Sequence, residues 1–187
     1  MGSRGIPTLT TERVVLRPFV PADLDELVVI HAEESFWWYP RRAAMTAEET
    51  RGFLTTVLQR YQDDGFGIEA LIERATGRMI GWAGLAVPHF LPEILPAVEV
   101  GWRLSGPHRG RGLATEAGRA ALEYGFTTAG LDCIVSLYEP ENVASGRVME
   151  RLGFTHRVTT IGPRSEDVAV MELSRERWAQ QRSYSAE

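Results

Sequence analysis

The sequence predicts a mixed α+β fold, in which one sheet with both antiparallel and parallel strands is flanked by helices. Three observations predict it. Segments of strand and helix character follow one another in the order β-α-α-β-β-β-α-β-α-β-β. Short turns such as Thr76-Gly77 join neighbouring strands into hairpins. The strand–helix–strand unit over residues 98–138 predicts a parallel pair with a right-handed crossover.

Bulk composition indicates one ordinary globular domain. The chain has 187 residues, of which 44% are hydrophobic, and we expect a single domain with its core at about 10–174 and a polar tail at about 175–187. The net charge of −5 without a basic stripe argues against a nucleic-acid partner. A single cysteine, Cys133, excludes an intrachain disulfide. No apolar run approaches the roughly 20 residues that span a bilayer, and no signal peptide is visible, so we expect a cytoplasmic protein without membrane contact. The four histidines lie far apart, so we expect no metal site.

The first half of the chain supplies one strand, two helices and a hairpin. A strand over 13–18 ends at Pro18, and a helix opens at Pro21-Ala22-Asp23. Thr46 and Glu49 form a capping box, which predicts a second helix running to about Asp64. Between these helices lies an unusually aromatic segment, 36–42. Residues 66–74 and 78–87 are predicted to pair as a hairpin.

The second half alternates strands and helices. Residues 97–104 alternate strictly, so that positions 99, 101 and 103 share one face of a strand. A helix over about 112–128, a buried strand over 133–138 and a helix over 142–152 follow, the last ended by Gly153. Residues 154–160 and 168–173 are predicted to pair as a final hairpin.

The sharpest local signal is a glycine turn between a strand and a helix, Arg109-Gly110-Arg111-Gly112-Leu113-Ala114. A helix N-terminus exposes unpaired amides, and glycines let the backbone approach an anion closely. The turn is therefore a candidate pyrophosphate cradle, with a plain tight turn as the alternative. The P-loop pattern is absent. A dinucleotide fingerprint fits poorly, because Thr115 stands where its third glycine or alanine belongs.

Together with its flanking segments, this turn resembles the GNAT superfamily of N-acetyltransferases. Arg109-x-x-Gly112-x-Ala114 matches the superfamily's pyrophosphate motif, [Q/R]-x-x-G-x-[G/A]. Residues 99–104 look like the preceding strand, and 142–145 with 150–154 resemble the second cofactor segment. Residues 11–18 resemble the first strand of the ribosomal-protein N-terminal acetyltransferase branch. The resemblance covers about residues 10–174.

The resemblance implies a three-layer fold around a strongly bent sheet, whose fourth and fifth strands splay apart to admit acetyl-CoA. It implies that the backbone around Leu104 bonds the pantetheine arm and that Asn142 lies along it. For Asn142, a plain helix N-cap is an equal and compatible interpretation. The implied pyrophosphate ligands are the amides of Arg109, Gly110, Arg111, Gly112, Leu113 and Ala114.

Acyl transfer to an amine needs a base, and Glu99 is the best candidate because Gly101 leaves space beside it on the same strand face. The alternative is that Glu99 pairs with Arg103. His108 adjoins the turn and is expected to serve the phosphate or solvent. Many superfamily members carry a tyrosine that can protonate the leaving thiolate, but Met149 stands at that position here. Ser145 is the candidate donor instead, with a helix-start serine that bonds the backbone as the alternative.

Trp37, Trp38 and Tyr39 lie where the superfamily builds its acceptor pocket, so they are candidate substrate contacts. A hydrophobic plug or a dimer contact is the alternative. The leading hypothesis is an N-acetyltransferase that moves an acetyl group from acetyl-CoA to a primary amine on a small molecule or a peptide. A non-catalytic acyl-CoA sensor and a nicotinamide oxidoreductase are the alternatives, and a homodimer is compatible with the sequence.

Overall fold

The structure is a computed structural model that describes residues 6–37, 39 and 43–184. The strands are β1 (Leu9–Thr10), β2 (Val14–Arg17), β3 (Ile68–Glu73), β4 (Met79–Ala86), β5 (Glu99–Leu104), β6 (Cys133–Tyr138), β7 (Thr155–Ile161) and β8 (Asp167–Ser174). The helices are α1 (Leu24–His31), α2 (Ala47–Asp63), α3 (Leu113–Thr127), α4 (Val143–Leu152) and α5 (Arg175–Tyr184). The strands hydrogen-bond in the order β1-β2-β3-β4-β5-β6-β8-β7, which confirms the predicted mixed sheet.

The chain forms two compact units, and the first comprises residues up to Gly84 together with Trp102–Ala120. In this unit β1, β2, β3 and β4 pair antiparallel in sequence order, including the predicted hairpin. Its core contains residues from α1, α2, β3 and the aromatic segment, among them Leu27, Trp37 and Ala70. The apolar faces of two helices are therefore buried against a strand meander.

The second unit comprises Leu85–Gly101 and the chain from Ala121 onward. Here β5 and β6 are parallel, as predicted, and β6, β8 and β7 are antiparallel neighbours. A cluster of buried apolar side chains forms part of its core: Leu91, Ile94, Val135, Val168 and Val170. The single-domain interpretation stays a prediction.

Local chemistry sets the helix ends. The Thr46 side chain accepts a hydrogen bond from the Glu49 amide, and Glu49 accepts one from the Thr46 amide, which confirms the predicted capping box. Asn142 caps α4, and Gly153 ends it in the left-handed conformation with φ of 88°. That conformation is open to glycine without a Cβ clash, which explains why the helix ends there.

The polar tail predicted from about residue 175 was wrong, because Arg175–Tyr184 forms the helix α5. The Trp178 ring lies 5.2 Å from that of Phe126, centroid to centroid. Arg177 and Gln181 both donate to the Gly153 carbonyl. One aromatic contact and these hydrogen bonds thus anchor a helix whose residues are mostly polar.

Among the described residues, no helix combines the length and the apolar character that spanning a membrane requires.

Candidate functional site

The glycine turn presents a row of unpaired amides. A single turn of 3-10 helix over Gly106–His108 leads into it, and Gly110 and Gly112 adopt φ of 71° and 80°. Leu113 begins α3, and the Glu116 amide donates to the Gly112 carbonyl. Among the described residues, the amides of 110–114 have no backbone acceptor. Free amides at the positive end of a helix fit a phosphate group.

A carboxylate braces this turn from inside the first unit. Glu116, in the first turn of α3, accepts hydrogen bonds from the Thr11 hydroxyl (2.5 Å), the Arg13 amide (2.7 Å) and the Arg13 guanidinium (2.7 Å). Arg13 also donates to the Arg111 carbonyl, at 2.9 Å. Arg13 therefore joins the turn to the start of the chain's second strand, and its guanidinium adds positive charge beside the turn.

The side chain of Arg111 makes an ion pair at the same turn. Its Nη2 lies 2.9 Å from Glu73 Oε1, and the pKa of Glu73 is lowered by its hydrogen bond from Thr76 and by Arg111. His108 bonds Ser105 Oγ through Nδ1 at 2.7 Å and lies 3.9 Å from Glu73 through Nε2. His108 is thus held by protein groups in this structure, and its service to an anion stays a prediction.

Arg109, the first residue of the motif, turns its side chain back toward the aromatic segment. Its Nε donates to the Leu104 carbonyl at 2.8 Å, and its Nη2 donates to the Ser35 carbonyl at 2.5 Å. The Gly106 amide donates a hydrogen bond to the Glu33 carboxylate at 3.4 Å. Sequence reasoning missed this link, because no local pattern indicates which carbonyl a long side chain will reach. The predicted role of Leu104 with pantetheine stays a prediction.

In the second unit, the parallel pair β5 and β6 is short. Its register has the single pair Glu99↔Val135, with the Val135 amide donating to the Val98 carbonyl at 2.9 Å. One step further, the Ser136 hydroxyl donates to the Val100 carbonyl at 2.8 Å. A side chain thus takes the place of a main-chain donor where the ladder ends. The separation implied by the family resemblance is compatible with this short ladder.

Glu99 begins β5, and burial raises the pKa of its carboxyl from 4.5 to about 7. A carboxyl group with a pKa near neutrality can exchange a proton at physiological pH, as a general base must. The Arg103 guanidinium instead donates to the Phe36 and Tyr39 carbonyls, so the alternative of a Glu99–Arg103 ion pair has no support. The role of Glu99 as base stays a prediction.

Asn142 caps the start of α4, which is one of the two roles that the sequence predicts for it. Its side chain accepts from the Ser145 amide at 3.3 Å, so the N-cap role is present, while a pantetheine contact stays a prediction. Ser145 is partly buried in the first turn. Met149 is 1% exposed and packs in the core, which accounts for an apolar residue at this position. Ser145 as donor stays a prediction.

The aromatic segment is divided between core and surface. Trp37 is 8% exposed and packs with Phe36 and Phe53, as the plug alternative predicted. Tyr39 is partly exposed. Trp38 lies outside the described residues. Contact of any of the three with an acceptor stays a prediction.

The family model that matches this chain is that of the acetyltransferase (GNAT) domain, over residues 13–155. The chain is 35% identical over 112 residues to the uncharacterized protein YkkB of Bacillus subtilis, covering 59% of this chain and 63% of YkkB. It is 27% identical to the uncharacterized N-acetyltransferase YnaD of Bacillus subtilis, covering 78% of this chain and 81% of YnaD.

In the part of the chain that the structure describes, no group of three or more His, Cys, Asp or Glu residues could hold a metal ion.

Solved structures extend the comparison. An acetyltransferase of Agrobacterium tumefaciens matches with a TM-score of 0.73 and 32% identity, covering 90% of this chain and 94% of that one. The ribosomal-protein-S5-alanine acetyltransferase of Vibrio fischeri matches with a TM-score of 0.72 and 18% identity, covering 92% and 99% of the two chains. An identity of 18% shows a shared fold and no more. The predicted resemblance to the ribosomal-protein branch is therefore confirmed for the fold.

Proposed function

We propose that this chain, which belongs to the acetyltransferase (GNAT) domain family, moves an acetyl group from acetyl-CoA to a primary amine in a ternary complex. Membership makes it an acetyl-CoA-dependent acetyltransferase. The amine acceptor, on a peptide or a small molecule, and the residue roles are the proposal. We also propose that the reaction takes place in the cytoplasm.

The observation that carries the proposal is the row of unpaired amides at 110–114, with two glycines at positive φ and the start of α3 behind them. Several N–H groups directed at one place bind a pyrophosphate without requiring a lysine. Arg13 is held beside these amides by Glu116 and supplies positive charge. Acetyl-CoA, when bound, supplies the acetyl group as a thioester.

Glu99 is the proposed base. The incoming amine is mostly protonated near neutral pH and cannot attack a carbonyl carbon until it loses one proton. The Glu99 carboxylate accepts that proton directly or through a water molecule. The nitrogen lone pair then forms the new C–N bond, the C–S bond breaks, and the nitrogen releases its second proton to give the neutral amide. Because burial raises the pKa of Glu99 to about 7, the carboxylate is basic enough to take the proton and still largely ionised above pH 7.

The departing thiolate is the second charge to be managed. A thiol has a pKa near 8.5, so its anion is already a fair leaving group and needs only modest help. The Ser145 hydroxyl, at the start of α4, donates a hydrogen bond or relays a proton from water. Met149 has no proton to donate and is buried. The second proton released by the acetylated nitrogen, carried by water, therefore balances the charge of the thiolate.

The test is turnover with a library of primary amines, monitored by release of free thiol and by the mass of the product. We expect thiol release to depend on the amine and the product to carry one acetyl group. Glu99→Gln should lower kcat by roughly 10²–10⁴-fold while the Kd for CoA stays nearly constant. Tight CoA binding without thiol release for any amine would instead identify a non-catalytic acyl-CoA sensor.

A further inference from the structure

Arg103 is a half-buried cation whose Nε is enclosed, and no counter-ion for it is present among the described residues. Its Nη1 donates to the carbonyls of Phe36 (2.7 Å) and Tyr39. Burial lowers the pKa of its guanidinium to about 10, and the neighbouring charge that contributes is Arg109, which is also positive. No carboxylate of a described residue forms an ion pair with it. Buried charges in proteins are normally paired, so this one requires an explanation.

The rings of Phe36, Trp37 and Trp82 lie against this cation, and those of His31 and Phe53 pack on them; we call these five residues the aromatic box. The guanidinium carbon of Arg103 lies 4.7 Å from the Trp37 ring centroid and 5.4 Å from that of Trp82. Stacking on rings holds an arginine in place but supplies no hydrogen-bond acceptor.

Among the described residues, four buried nitrogens of the box have no hydrogen-bond partner: His31 Nε2, Trp37 Nε1, Trp82 Nε1 and Arg103 Nε. Indole and guanidinium nitrogens are donors only. Burial lowers the pKa of His31 to about 4, so its ring is neutral at physiological pH, and its Nδ1 shares a hydrogen bond of 3.2 Å with the Thr50 hydroxyl. An unpaired buried donor is unfavourable, because the hydrogen bond that it made to water in the unfolded chain is not replaced. Several donors and a positive charge here lack an acceptor.

Among the described residues of this unit, Glu69 is the buried carboxylate with an unpartnered oxygen, and it does not fill that role. Glu69 precedes Ala70 on β3, and Ala70 packs in the core that contains Phe36 and Trp37. Consecutive side chains on a strand point to opposite faces, so Glu69 projects away from the box.

The geometry of the guanidinium selects the missing group. Nη1 is taken by two carbonyls, which leaves Nε and Nη2 along one edge. Two parallel N–H groups on one edge match the two oxygens of a carboxylate, which is planar and small enough for an apolar box. A water molecule offers one oxygen and no charge.

We propose that the amine acceptor of this enzyme carries a carboxylate, and that the free edge of Arg103 in the aromatic box binds it. The inference rests on the proposed acetyl transfer to an amine. Its location agrees with the sequence-based prediction for the aromatic segment, since Arg103 is bonded to carbonyls of that segment. The substrate class is thus an amino acid or another amine with a free carboxylate.

The box reaches the surface, because Phe53, Trp82 and Arg103 are only partly buried. The four unpartnered nitrogens themselves are enclosed. A carboxylate therefore enters by displacing packed side chains, and tryptophan fluorescence should change when it binds.

The kinetic test compares amino acids with the matching amino acid amides, which differ only in the carboxylate. Charge-assisted hydrogen bonds predict a kcat/KM roughly 10- to 150-fold higher for the free acids. Arg103→Gln should abolish that preference, so that the ratio of kcat/KM for an acid to that for its amide falls to about 1. Trp82→Phe keeps a ring but loses one N–H, and should reduce the preference in part. Arg74→Gln is the matched control, because Arg74 also donates to two backbone carbonyls, those of Thr11 and Glu12.

A binding test without acetyl-CoA separates this inference from the proposed function. Tryptophan fluorescence is titrated with N-acetylglycine, which cannot be acetylated on its blocked nitrogen, and with N-acetylglycinamide. Saturation by the acid alone, lost in Arg103→Gln, supports the carboxylate site even if no amine is ever acetylated. Equal responses to both ligands, together with equal kcat/KM for acids and amides, would overturn the carboxylate site while acetyl transfer stands. If Arg103→Gln fails to fold, an unchanged preference in Trp82→Phe would overturn it.

Discussion

Replacing Gly112 with alanine tests whether the glycine turn holds the pyrophosphate. Gly112 has φ of 80°, and an added Cβ would meet only Arg13 Nη2, at 3.5 Å. The protein itself therefore has room for the methyl group, and the cost to folding is the left-handed conformation, roughly 1–2 kcal/mol. The matched control is Gly77→Ala, since Gly77 has φ of 69° and no atom of a described residue lies within 4 Å of its added Cβ.

The two variants should lose similar stability and differ in CoA binding. A cost of about 1 kcal/mol lowers the Tm of a chain this long by roughly 2–4 °C in both. At Gly112 the methyl group also stands among the unpaired amides, and loss of one charge-assisted hydrogen bond, about 1.5–3 kcal/mol, weakens CoA binding roughly 10- to 150-fold. Thermal melts and calorimetric titration with CoA measure both quantities. A Gly112→Ala protein that binds CoA within about twofold of Gly77→Ala would refute the placement of the pyrophosphate.

Four further outcomes are expected. Because Glu99 must be ionised to act, kcat/KM should fall as pH drops through about 7, and a flat pH profile would count against it. Burial favours the neutral form of Glu69 and raises its pKa from 4.5 to about 8. The contribution of Glu69 to folding stability is therefore complete below pH 4.5, and it is lost as the carboxyl ionises when pH rises through about 8. Glu69→Gln should therefore be more stable than the parent at pH 9 by a few kcal/mol, and equal urea midpoints there would contradict this. Trp178→Ala should cost roughly 1–3 kcal/mol through lost packing on Phe126, and an unchanged Tm would show that α5 contributes nothing. Ser145→Ala should lower kcat about tenfold, or roughly 1.4 kcal/mol of barrier, whereas wild-type kcat with chemistry limiting would leave solvent as the acid.

Features encoded by neighbouring residues were predictable. The capping box at Thr46, the stop at Gly153 and the glycine turn each depend on a few adjacent positions, and the structure has all three where the sequence places them. Short-range chemistry of this kind does not depend on the tertiary fold.

Features that join distant segments were not predictable. The helix α5 was mistaken for a tail because its anchor is a ring contact between Trp178 and Phe126, on separate elements. The aromatic residue Trp37 looked equally suited to a substrate wall and to a core. Only the packing of Trp37 on Phe53 shows that it is part of the core. The contacts of Arg103 with Phe36 and Tyr39 likewise have no sequence signature.

The bonds from Thr11 and Arg13 to Glu116 have a consequence for how the enzyme matures. They join positions 105 and 103 residues apart, so loop-closure entropy must be overcome before they form. During synthesis the N-terminal strand leaves the ribosome long before its partner on α3 exists. The glycine turn is thus completed late, and a nascent chain that has formed only the β3–β4 hairpin does not yet bind acetyl-CoA. In refolding experiments, recovery of CoA binding should coincide with the slowest phase rather than with the recovery of helical signal.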